Sequence, residues 1–108
     1  MKIFLNAEID NKAVSNHLHL LINQIYKLLP NREENLEWRK PLDTIIEELA
    51  GMDMVLLGKH DILFPLLCKL SGLKTLTEEE DFYLYRRTIF ECLSLCSQLK
   101  EQCQDLKI

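Results

Sequence analysis

Between Phe82 and Leu106 the apolar residues Phe82, Tyr85, Ile89, Cys92, Cys96, Leu99, Cys103 and Leu106 recur at spacings of three and four without a break. Such an alternation places all eight on one stripe of an α-helix, in the manner of a coiled-coil seam. Thr77 followed by Glu80 has the capping-box spacing, and Glu78–Asp81 sets negative charge at the positive end of the helix dipole. These signals predict a long C-terminal helix over 77–106. The supply of apolar residues agrees, because Leu occurs 22 times against two Val and four Thr. Leu loses little rotamer freedom in a helix, whereas β-branched residues lose more. Three glycines and three prolines are too few to turn a many-stranded β fold.

The rest of the chain reads as shorter helical stretches. Val14, Leu18, Leu21, Ile22, Ile25, Leu28 and Leu29 form one stripe, with Asp10 or Asn11 as the expected cap and Pro30 as the expected stop. The alternation Ile3, Leu5, Ala7, Ile9 has no second strand to pair with, so residues 1–9 are expected to form an N-terminal arm on the bundle. Asn31 with Glu34 suggests a short helix at 32–39, and Pro41 the start of a main helix reaching Gly58. Asp61 is placed to cap a short helix through Leu70, apolar nearly all round, with Ser71-Gly72 closing it. The fold class expected is therefore all-α. It is a single antiparallel bundle of three main helices plus a short apolar one, with Leu18, Ile22, Ile25, Leu28, Ile45, Leu49, Leu56, Leu66, Leu70, Ile89 and Leu93 in its core.

The formal net charge is −4, with 6 basic and 9 acidic groups in residues 1–54 and 7 and 8 in residues 55–108. Neither half is basic, which argues against a general nucleic-acid partner; Arg39–Lys40 and Arg86–Arg87 read as solvated helix faces. No apolar run approaches the roughly 20 residues of a membrane helix. The apolar start at Ile3–Leu5 is interrupted by Asn6, Glu8 and Asp10, so no secretory leader is expected. A reducing cytoplasm, and free thiols at Cys68, Cys92, Cys96 and Cys103, follow from that expectation.

Cys92 and Cys96 share a helical face, but Cys103 stands about 10 Å further along the axis, too far to join them around one zinc ion. His17 and His19 point to different faces, and His60 is expected in a turn after Gly58. The single aromatics Trp38 and Tyr83 are expected at the surface. No nucleophile elbow or phosphate loop occurs.

Carboxylates offer the one enzymatic pattern. Glu33, Glu34 and Glu37 spell E-E-x-x-E, Glu47 and Glu48 follow, and Asp53 falls in register for the last position of a subsequent E-x-x-D. In this the chain resembles the all-α nucleotide pyrophosphohydrolases of the MazG type. That resemblance implies Mg²⁺ held between neighbouring helices against a nucleotide's phosphates. It covers residues 33–53 only; Ala50 stands where the second motif has its first acid, and Pro41 interrupts the stretch.

The preferred expectation is a non-enzymatic protein–protein interaction module (homo-oligomer, adaptor or inhibitor) without metal or cofactor. A helix over 77–106 would be about 45 Å long, outreaching helices of about 25–29 Å at 11–29 and 41–57. The overhang leaves Cys96, Leu99, Cys103 and Leu106 for a partner helix, and the apolar 62–70 segment adds Phe64 and Leu67.

Overall fold

A computed structural model describes residues 7–52 and 60–105 of the chain. Four helices follow one another: α1 (Ala7–Glu33), α2 (Arg39–Gly51), α3 (His60–Leu73) and α4 (Phe82–Asp105). The fold is all-α, with no strand among the described residues. Neighbours in sequence pack side by side, and α4 closes onto α1, making the most extensive pairing. The cross-helix contacts fix an up-down-up-down order. His17 meets Glu48, Lys74 meets Asp43, Lys69 meets Glu91, and Lys100 returns to His19 on the first helix.

Relative helix lengths differ from the expected plan. At 27 residues α1 is the longest helix, α4 has 24, and α2 and α3 have 13 and 14. Two long helices of about 40 and 36 Å, the first and last of the chain, thus pack as an antiparallel pair with the two short ones alongside. Asp10 and Asn11 lie inside α1 rather than capping it, since Ala7 begins the helix; residues 7–9 of the expected arm are helical, and residues 1–6 lie outside the described set.

Pro30 does not stop α1, which runs a further turn to Glu33. The stop comes from Asn35, whose φ of 62° lies in the left-handed region. Its N–H bonds Arg32 O at 3.1 Å, and the Leu36 N–H bonds Asn31 O at 2.7 Å. This pair of bonds is the Schellman arrangement, which satisfies carbonyls that the helix end would leave bare. Asn31 therefore belongs to α1, and no separate helix forms at 32–39. The turn beyond Pro30 is held from outside. Arg32 Nη2 donates to Leu76 O at 2.9 Å and Glu78 O at 2.8 Å, and its guanidinium lies 4.6 Å from the centre of the Tyr85 ring.

α2 starts at Arg39, so Pro41 sits within the first turn, where a missing N–H goes unused. The helix closes at Gly51, short of the expected stop near Gly58; Leu56 and Gly58 lie outside the described residues. α3 contains both Pro65 and the expected terminators Ser71 and Gly72, and His60 opens this helix instead of lying in a turn. α4 is preceded by a 3-10 turn at Glu79–Asp81, so the C-terminal helix begins five residues later than Thr77. The capping box exists one residue further on than expected. The Glu78 N–H donates to the Asp81 side chain at Oδ2, 3.2 Å away, and the Asp81 N–H also closes the 3-10 turn on the backbone Glu78 O at 3.0 Å.

The core joins Leu18, Leu21, Ile25 and Leu28 of α1 to Leu42, Ile45 and Leu49 of α2 and Leu63, Leu66 and Leu70 of α3. The α4 seam from Tyr85 to Leu99 completes it. Of the core residues expected from periodicity, Ile22 is partly buried, Leu56 is not described, and the others are buried. Trp38, expected at the surface, is buried, its ring edge-on to Tyr85 at 5.1 Å.

Candidate interaction surface

The residues expected to meet a partner separate into three groups. Cys96 and Leu99 have no exposed surface at all, because α1 runs antiparallel alongside α4 with His19 beside Lys100. The overhang does not exist over these residues, and the seam through Leu99 is internal core. Burial also keeps the Cys92 and Cys96 thiols protonated, each pushed up to about 12. Phe64 is exposed on α3 and Leu67 half-buried against the core. The Cys103 side chain and Leu106 fall outside the described residues.

The carboxylates of the enzymatic pattern are spread out. Glu33 ends α1, Glu34 lies in the turn after it, and Glu37 lies in the loop, its Oε2 accepting the Lys40 N–H at 2.9 Å. Glu48 of α2 is engaged by His17 Nε2 at 3.0 Å, and Glu47 beside it is exposed. Asp53 is outside the described residues. Among the described residues no three His, Cys, Asp or Glu side chains gather closely enough to hold a metal ion.

What the structure does assemble is an aromatic face on the solvent side of α4. Tyr83, Arg86, Arg87, Phe90 and Ser94 recur at helical spacing opposite the buried seam. Together with Glu91 they line a shallow groove of about 390 Å³. Tyr83 is 74% exposed and Phe90 41%. From α1 the exposed Tyr26 meets the Phe90 ring edge-on, centroids 6.4 Å apart. The Arg86 guanidinium lies 5.2 Å from the centre of the Phe90 ring. Arg87 Nε stands 3.6 Å from Glu91, whose other oxygen takes Lys69 at 3.1 Å. Among the described residues no carboxylate pairs with Arg86.

Leu84, Phe90, Leu93 and Leu95 flank the seam in sequence, and their apolarity alone does not tell which of them are buried. Leu93 is buried and Leu95 packs on the core, but Leu84 and Phe90 are exposed. The available signal was Tyr83, Arg86, Arg87 and Phe90 lying together on the helix side away from the seam.

A second hollow, about 470 Å³, opens at the end of the bundle between Arg32, Glu33, Trp38, Arg39, Glu79 and Phe82. Its arginines are committed: Arg32 to two backbone carbonyls, Arg39 to the face of Trp38 at 4.7 Å. It reads as the clamp joining the α1–α2 and α3–α4 connections. No protein-family model, curated protein or solved structure matches the chain. No described helix is long and apolar enough to cross a membrane.

Proposed function

We propose that the protein is a non-enzymatic interaction module whose docking surface is the outward face of α4, with Tyr83, Arg86, Arg87 and Phe90 at its centre. One observation carries this reading: two large aromatic rings stand in solvent beside two arginines, on a helix whose opposite side already completes the core. Aromatic residues and arginine are the types that dominate binding energy where proteins meet. The aromatic rings of the groove take an apolar side chain, and Arg86, unpaired with any described carboxylate, leads the selection of acidic groups, with Arg87 shared with Glu91 beside it. The partner is thus a segment presenting an apolar anchor flanked by acidic residues, whether it belongs to a homo-oligomer or to a protein the module adapts or inhibits. Free thiols at Cys68, Cys92 and Cys96 fit a reducing, cytoplasmic setting.

A fluorescent synthetic peptide with Leu at i and i+4 flanked by Glu, and a twin with Lys in place of Glu, test the reading by anisotropy. The acidic peptide is expected to bind saturably and less tightly at high salt. Phe90→Ala and Arg86→Ala are each expected to weaken it by about tenfold, as interface anchors do. Equal binding of the two peptides, or binding that both substitutions leave intact, overturns the proposal.

A further inference from the structure

The loop between α1 and α2 carries the chemistry that this groove selects. Schellman motifs commonly rest the residue after the left-handed position against an apolar residue three places before the helix cap. Here those two residues are Leu36 and Asn31, so Leu36 has no apolar partner of that kind and remains 52% exposed. Beside it in sequence stand Glu33, Glu34 and Glu37, all exposed, with Glu37 accepting the Lys40 N–H and the exposed Arg39 and Lys40 following. An exposed apolar anchor with three carboxylates near it in sequence thus lies on this loop, while a groove lined by Tyr83, Phe90, Arg86 and Arg87, with Glu91 also in its lining, lies on α4. The chain does not join them within itself, since Leu36, Tyr83 and Phe90 are all exposed in the same structure.

We infer that the occupant of the α4 groove is the Glu33–Glu37 loop of a second copy of this chain, with Leu36 inserted against Phe90 and the carboxylates facing Arg86 and Arg87. The inference rests on the docking face proposed above and names its partner. Loop and groove are different patches of one surface, so two copies close a two-fold pair when each fills the other's groove. Charge complementarity sets the pairing, and like charges brought opposite each other oppose it.

The test uses sedimentation velocity on the full chain from about 1 to about 500 μM, the range in which modest interfaces populate complexes. Arg86→Glu/Arg87→Glu reverses the groove and Glu33→Lys/Glu34→Lys reverses the loop; circular dichroism confirms that both fold. The wild-type chain is expected to self-associate, and each variant alone to do so at least about tenfold more weakly. An equimolar mixture of the two variants is expected to recover association, because every Glu groove then meets a Lys loop and every Arg groove a Glu loop. Leu36→Asp is expected to lose association and not to be rescued by either variant. A wild-type chain that stays monomeric throughout overturns the second copy as occupant, and retained binding of the acidic peptide would then leave the docking face standing. Self-association that survives both reversals overturns the inference, and loss of peptide binding as well removes the face itself.

Discussion

Replacing Arg32 with Ala tests the clamp that lets α1 continue past Pro30. The side chain donates to Leu76 O at 2.9 Å and Glu78 O at 2.8 Å, and lies over the Tyr85 and Phe82 rings at 4.6 and 5.3 Å. The bond to Leu76 is partly buried and is worth about 1 kcal/mol net; the exposed one to Glu78 contributes about half of that. Stacking of a partly solvated cation on two aromatic faces adds about 1 kcal/mol. Arg32→Ala should therefore cost about 2–3 kcal/mol in urea denaturation followed by circular dichroism, a fall in Tm of roughly 10–15 °C for a domain of this size. Hydrogen exchange should accelerate first in residues 74–81, whose connection the guanidinium ties down. Arg32→Lys keeps the charge but loses the planar fork, so it should recover less than half of the loss. A variant within about 0.5 kcal/mol of wild type, or full recovery by Lys, would refute the clamp.

Leu99→Ala, at a position with no exposed surface, is expected to destabilise the fold by about 2–5 kcal/mol, because a cavity opens between α4 and α1. Unchanged stability with lost association would return this seam to a partner helix. The thiols of Cys92 and Cys96 give a pH signature. Their folded pKa is raised to about 12 by burial, so the unfolded chain releases these protons first and stability falls as pH rises from about 9 toward 12. A Cys92→Ala/Cys96→Ala variant should show a shallower loss in that window; identical slopes in denaturation measured at stepped pH would exclude the thiols as the cause.

Periodicity was sufficient for the class of fold and for most of its core. Spacings of three and four identify the residues that share a helix face, and that face must be buried whatever its neighbours are, so Leu18, Ile25, Leu28, Ile45, Leu49, Leu66, Leu70 and Ile89 were legible from the chain alone. Helix ends were less so. Pro30, Asn31 and Ser71-Gly72 carry local stop or start signals that contacts elsewhere override: Arg32 is anchored across the bundle, and Leu70 and Leu73 are buried on both sides of Gly72. A local cost of about 1 kcal/mol at Gly72, or about 3 kcal/mol at Pro30, yields to tertiary contacts of comparable size.

The interaction surface turned on how α1 and α4 pair. Because α1 packs antiparallel on α4 with Leu28 beside Tyr85 and His19 beside Lys100, its middle turns cover the seam at Cys96 and Leu99. Sequence by itself determined that α4 has one apolar stripe. The tertiary structure alone decided that this stripe is internal and that Tyr83, Arg86, Arg87 and Phe90 on its other side meet solvent. The reason is physical: a stripe records which residues lie together, whereas its exposure depends on which helix packs against it and in what register.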